Sequence, residues 1–194
     1  MIDFWFYIKL GLEHVLDVTA YDHILFLAAL TVPFTLTSWK RVAILATVFT
    51  VTHCLSLTAS AYKWMTVDVG LIEFLIPVTI LFTALFNLFQ VLYDRKGTAF
   101  LLHCMVTGFF GLVHGFGFSN YFKMLVAGET DKLTPLLGFA TGIEISQLVV
   151  VSGVLVLAYV AQEMLGVAQR TFIVITSIII ALVTIPMLVE TFPW

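Results

Sequence analysis

Long apolar blocks, set apart by short polar clusters, make up this chain from end to end. About 20 apolar residues are enough to cross a bilayer as a helix. The blocks therefore predict an all-α polytopic membrane protein, a compact bundle of seven (six to seven) transmembrane helices in a single domain over residues 1–194. The first helix is short, and breaks are expected beside polar residues. Residues 4–16 are apolar but carry Lys9 and Glu13. They predict a short, partly buried helix whose Lys9 snorkels. The second block covers about 22–38, with Pro33 late in it, and Trp39, Lys40 and Arg41 mark an interface after it. The third covers 42–62 and closes on the anchors Tyr62, Lys63 and Trp64. The fourth starts near Asp68, carries Glu73 and Pro77, and ends at Tyr93, Asp94, Arg95 and Lys96. The fifth, 97–118, holds His103 and His114, and a polar loop is expected over 119–134. The sixth, 135–161, holds Glu144 and Gln147, and the seventh is 171–189.

Composition agrees with the blocks. Hydrophobic residues make up 61% of the 194 and charged ones 11%, against about 25% charged in an ordinary soluble domain. Mean hydropathy is +1.07. Most of this surface must face lipid. A net charge of -3 with no basic tail excludes nucleic acid as a partner. Cys54 and Cys104 sit inside apolar runs and read as buried thiols rather than a disulfide framework. Acidic Asp3 precedes any basic residue, so a cleaved leader is not expected. Loop cations divide five to three, with Lys40, Arg41, Arg95, Lys96 and Arg170 on one side and Lys63, Lys123 and Lys132 on the other. The positive-inside rule then puts the C-terminus outside.

Charge within the apolar blocks changes the picture most. The stretch from Gly11 to Leu27 holds Glu13, His14, Asp17, Asp22 and His23, five of the chain's seventeen Asp, Glu and His residues. Ionisable groups at membrane depth are costly and point to function. Depth, counted at about 1.5 Å per residue, brings the others to the same level. His53 comes just past the middle of its span, and Glu73, His114 and Glu144 all fall in the outer half. His103 alone falls in the inner half and reads as a core residue. Thr50, His53 and Ser56 recur every third residue, and Glu144 and Gln147 share a face at the same spacing. The glycines after His114 end that helix or allow close backbone approach. They make no nucleotide fingerprint, since no strand precedes them.

Imidazole and carboxylate together suit a divalent transition metal such as Ni2+, Zn2+ or Co2+. The expected ligands are His14, Asp22, His53, His114 and Glu144. Asp17, His23, Glu73, Gln147 and Ser56 are expected behind them, as partners of the ligands, a proton relay or further ligands. On an ideal helix His23 would face away from His14, unless Thr19 and Ala20 break it. Three functions remain open. The first is a metal permease, for which the apolar inner half, with only His103 and Asn87, is an obstacle. The second is a metal-dependent hydrolase of lipid or peptide, open to the outer face, with Asp22 or Glu73 as general base and Ser56 or Ser119 as stabilisers. The third is a sensor or assembly partner holding a structural ion. Beside all three stands a polar network that only locks the helices together. The expected partners are the bilayer and the metal ion, and a homo-oligomer is admitted.

Several ordered motifs carry a resemblance. Gly11-x-x-His14, then Tyr21-Asp22-His23-x-Leu-Phe-Leu, then Phe49-Thr-x-x-His53-x-x-x-Leu57, and Glu73 before Pro77, resemble the HupE/UreJ family of integral membrane proteins. So do Gly111-Leu-x-His114-Gly-x-Gly-Phe and Gly138-Phe-x-x-Gly142-x-Glu144-x-x-Gln147. The resemblance covers about residues 8–150, with the motifs in the same order. The longer His14-to-Asp22 spacing, with Leu16-Asp17-Val-Thr-Ala inserted, resembles a variant branch. The resemblance implies a multi-pass protein of the bacterial cytoplasmic membrane that handles nickel or another divalent metal.

Overall fold

The computed structural model describes residues 4–93 and 100–193. Among these residues there are seven α-helices and no strand. They are α1 (Phe4–Leu16), α2 (Asp22–Thr31), α3 (Trp39–Ala61), α4 (Val69–Leu92), α5 (Phe100–Leu125), α6 (Leu133–Tyr159) and α7 (Gln169–Glu190). The last five are each long and apolar enough to cross a membrane, and the chain is an integral membrane protein. The expected anchors Asp94, Arg95 and Lys96, the expected start at Gly97, and Asp3 lie outside the described residues.

Local chemistry sets the helix ends. Asp68 caps α4, its carboxylate accepting the Leu71 amide at 2.8 Å, the usual way an orphan first-turn donor is satisfied. The second block does not run to residue 38 as a helix. It stops at Thr31, ten residues long, because Pro33 brings no amide to continue the ladder. A 3-10 turn, Leu36–Ser38, then leads into α3. The fifth helix does not stop at Phe118 either. It runs through Gly115 and Gly117 to Leu125, so the expected polar loop shrinks to residues 126–132. Glycine at 115 serves close approach rather than termination: a Cβ there would run into the Ser56 hydroxyl and the His53 carbonyl on α3.

Contacts along the helices give their directions. Gly108 of α5 meets Val48 and Thr52, and Gly115 meets His53 and Ser56, so α3 and α5 run parallel. Lys132 at the start of α6 donates to the Ala61 carbonyl at the end of α3 at 3.0 Å, so α6 returns. The end of the bundle with this contact is called the near end. Gly138 of α6 meets Phe4 and Tyr7, and Gly142 meets Ile8 and Leu12; α1 therefore descends beside α6 from the near end. α2 continues in the same sense. Its His23 lies against His114, Ala29 against Asn87 deep on α4, and the residue after it, Val32, against Ala158 and Phe172. At about 1.5 Å per residue, α1 and α2 are about 20 and 15 Å long. Neither crosses a core about 30 Å thick. Together they make one interrupted crossing, broken at residues 17–21.

Candidate metal centre

The break is where the polar residues meet. His14 lies in the last turn of α1, and Asp22 and His23 open α2. The Asp17 carboxylate shapes the connection by accepting the Thr19 amide at 2.8 Å and its hydroxyl at 2.6 Å. An acidic residue in the first turn of α2 also suits the positive end of a helix dipole. His53 arrives from α3 and His114 from α5, brought close by the contact at Gly115.

His23 is the hub. Its ring centroid lies 4.6 Å from that of His14, 5.8 Å from His53 and 5.3 Å from His114. His14 and His53 are 5.6 Å apart. His53 and His114 are fully buried. Two of the four rings have their tautomer fixed by an oxygen that can only accept. The His114 Nδ1–H donates to the Phe110 carbonyl at 2.9 Å. The His23 Nδ1–H donates to the Asp22 carboxylate at 3.1 Å, and the same carboxylate oxygen accepts the His23 amide at 2.9 Å. Each ring is left with an unprotonated Nε2. That is the arrangement in which a carboxylate or carbonyl orients a metal-binding histidine.

Five buried ring nitrogens take no hydrogen bond: Nε2 of His14, His23 and His114, and both nitrogens of His53. A buried polar atom without a partner costs about 1–3 kcal/mol. Five of them add up to the scale of a whole fold's net stability, about 5–15 kcal/mol. Aromatic rings close the cluster on both sides. Phe118 and Phe139 stack on each other at 5.0 Å and lie 4.1 and 5.5 Å from His14. On the other side Phe26 and Phe49 each lie 5.2 Å from His114, with Phe110 5.8 Å from Phe26. Among the described residues, no three His, Cys, Asp or Glu side chains already stand arranged to hold an ion. The donor chemistry, two fixed tautomers and five unpartnered nitrogens, nevertheless fits a divalent transition metal.

Of the residues expected at the site, His14, Asp22, His53 and His114 come together, and His23 joins them. The ideal-helix argument that turned His23 away from His14 fails because the chain breaks at 17–21. Glu144 goes elsewhere. It meets the Thr47 hydroxyl at 2.6 Å, six residues down α3 from His53, or about 9 Å. Beside it Gln147 accepts the Thr50 hydroxyl at 3.2 Å. These two pairs form a polar seam between α3 and α6. Glu73 is exposed on α4, and Asp17 is exposed in its loop. The Ser56 and Ser119 hydroxyls donate to their own helices, at the His53 and Phe116 carbonyls. Cys54 and Cys104 are free thiols. The stacked Phe118 and Phe139 were not among the expected site residues, although both stand in the motifs that carry the resemblance, beside Gly117 and Gly138.

The family model described as HupE / UreJ protein matches residues 1–191, nearly the whole chain. No curated protein and no solved structure gives a match.

Proposed function

The chain belongs to the HupE/UreJ family, and from that premise we propose that it is a permease for a divalent transition-metal ion such as Ni2+, Co2+ or Zn2+. His14, His23, His53 and His114 supply nitrogen ligands, and the Asp22 carboxylate orients His23 and offsets one of the two positive charges. The observation that carries this reading is the set of five buried imidazole nitrogens with no protein partner. An arriving ion would satisfy several of them at once and would draw rings that now meet edge to face around itself. The interrupted crossing supports transport over a merely structural ion, because broken helices with their ends at a central site are a device of transporters.

The near end is the outer one on the positive-inside rule. The margin comes from Arg95 and Lys96, in the connection between α4 and α5. The membrane is then the bacterial cytoplasmic membrane, and ions enter from outside. A hydrolase finds less support: Asp22 is tied to His23 and Glu73 is exposed, so neither stands ready as a general base beside the cluster.

Two measurements test the proposal. Elemental analysis of purified protein should find an ion in the wild type and little in His53→Ala and His114→Ala. Ni2+, Co2+ or Zn2+ should enter proteoliposomes that carry the wild type. Equal metal in all three proteins would reject the site, and folded wild-type protein that moves none of these ions would reject transport.

A further inference from the structure

Glu144 lies outside the imidazole cluster, yet it is a carboxyl group deep in a membrane helix. It stands about 17 Å along α6 from Leu133, close to the middle of a core about 30 Å thick. Among the described residues no cation pairs with it. Lys9 pairs with Glu13 at 3.6 Å on the exposed side of α1. Arg41, near the start of α3, lies over the Phe100 ring, and Asp22 on α2 is tied to His23. The titratable groups of α3 nearest to it are Cys54, which feels its charge, and His53. Its neighbours Thr47 and Ile145 are exposed, so this edge of the seam faces lipid, where an unpaired anion is costly.

The contacts of Thr47 count the protons. Its hydroxyl oxygen lies 3.1 Å from the Ala43 carbonyl and 2.6 Å from Glu144 Oε1. A hydroxyl has one hydrogen, and a carbonyl or an ionised carboxylate can only accept. With Glu144 ionised, Thr47 serves one of the two oxygens and the other contact holds no proton. With Glu144 neutral, its O–H donates to Thr47, Thr47 donates to Ala43, and both contacts are hydrogen bonds. A separation of 2.6 Å suits an O–H donor. Oε2 points the same way. It is buried without a partner, which costs less for a neutral carboxyl group than for an anion.

The seam leads to the cluster. Thr47, Thr50 and His53 recur every third residue on one face of α3. Fully buried Gln147 accepts from Thr50 at 3.2 Å, and its NH2 has no partner. This row is the polar way out for a proton. The cluster also has a use for it. Four neutral imidazoles and the Asp22 carboxylate leave one charge of a divalent ion uncompensated, and at about 9 Å in a low-dielectric interior that charge favours an ionised Glu144.

We propose that Glu144 is a proton site, neutral in the metal-free protein, which releases its proton to solvent as a divalent transition-metal ion enters the cluster. The exchange rests on the metal-site reading above. Only the carboxyl O–H bond breaks, the proton ends on water, and the two carboxylates together balance the ion's charge.

The test reads the proton with and without the ion. Infrared spectra of metal-free wild type, Glu144→Gln and Thr47→Val at neutral pH look for the carbonyl stretch of a protonated carboxyl group. Calorimetric titration with Ni2+, in buffers of different ionisation enthalpy, counts the protons released. The wild type should show the band, Glu144→Gln should lack it, and Thr47→Val should keep it at a shifted position. Thr47→Val keeps the shape and removes the hydroxyl partner, so it identifies the group even should Glu144→Gln fail to fold. Ni2+ should abolish the band and release about one proton more from wild type than from Glu144→Gln. No band in the wild type, or a band unchanged in the variants, would overturn the proton on Glu144. A band that persists with Ni2+ bound, or equal proton release from wild type and Glu144→Gln, would overturn the exchange. Wild-type protein that shows the band and binds no Ni2+ would overturn the metal-site reading, and the exchange with it.

Discussion

Two halves of the bundle pack by different rules. In one half, α1 lies on α6 and α3 on α5 through glycines, so that backbones nearly touch: Gly11 faces Gly142 and Phe139, and Gly111 faces Phe49 and Thr52. In the other, α4 and α7 meet through branched side chains, with Ile76 and Ile80 of α4 in one apolar cluster with Ile180 of α7. All five histidines lie on α1, α2, α3 and α5, and α4 and α7 carry none. Without a hydrophobic drive between helices in lipid, small residues allow the close approach that packs them. The glycine-packed half thereby brings imidazoles from four helices within ring contact of His23 or of one another. The branched half keeps its helices a side chain apart and serves as scaffold.

Substitutions can break that division or sharpen it. After loss of the histidines themselves, the largest effect is expected from Asp22→Asn. It removes the charge that orients His23 and should weaken metal binding about 10–100-fold, the range for partners of metal-binding histidines. Isothermal titration of the purified variant checks this, and affinity equal to wild type would mean that Asp22 plays no part. Next comes Gly115→Ala. Its methyl group meets a carbonyl and a hydroxyl of α3, an overpacking that costs about 1–3 kcal/mol, and it moves His114 as well. Both Tm and metal affinity should fall. Ile80→Val in the scaffold half should cost about 0.5–1.5 kcal/mol and leave metal affinity where it was. If the two variants alter metal affinity alike, the division into site and scaffold is wrong.

The smallest effect lies outside the membrane, at the start of α6. The Thr134 hydroxyl, and after it the Leu133 amide, donate to Asp131 and hold its carboxyl below the ordinary value. A folded value below the unfolded one adds stability that is fully present above about pH 3.9, and that is lost as pH falls through the folded value. Thr134→Val should raise the Asp131 midpoint in an NMR titration and leave metal binding unchanged.

Much of this was legible beforehand. The first helix was expected over residues 4–16 and is found at Phe4–Leu16. The third, fourth and seventh blocks also became helices close to their expected bounds, since apolar length and interfacial anchors are local properties. The ends of the second and fifth helices were not legible in the same way. Pro33 reads in sequence as a late residue of a span, and in the fold it follows the end of one at Thr31. Gly115 allowed two readings in sequence, termination or close approach, and only the presence of α3 against it selects the second.

The chain's own order of residues determined that there would be apolar helices, and that histidines and carboxylates would lie inside them, because hydrophobicity and 3.6-residue spacing act within one helix. The tertiary structure alone decided which of those groups meet. It joined α1 and α2 into one broken crossing, drew His23 into the centre and sent Glu144 to Thr47. The physical reason is that rotation and crossing of neighbouring helices are set by contacts between them, here largely at glycines. No count along a single helix contains that information.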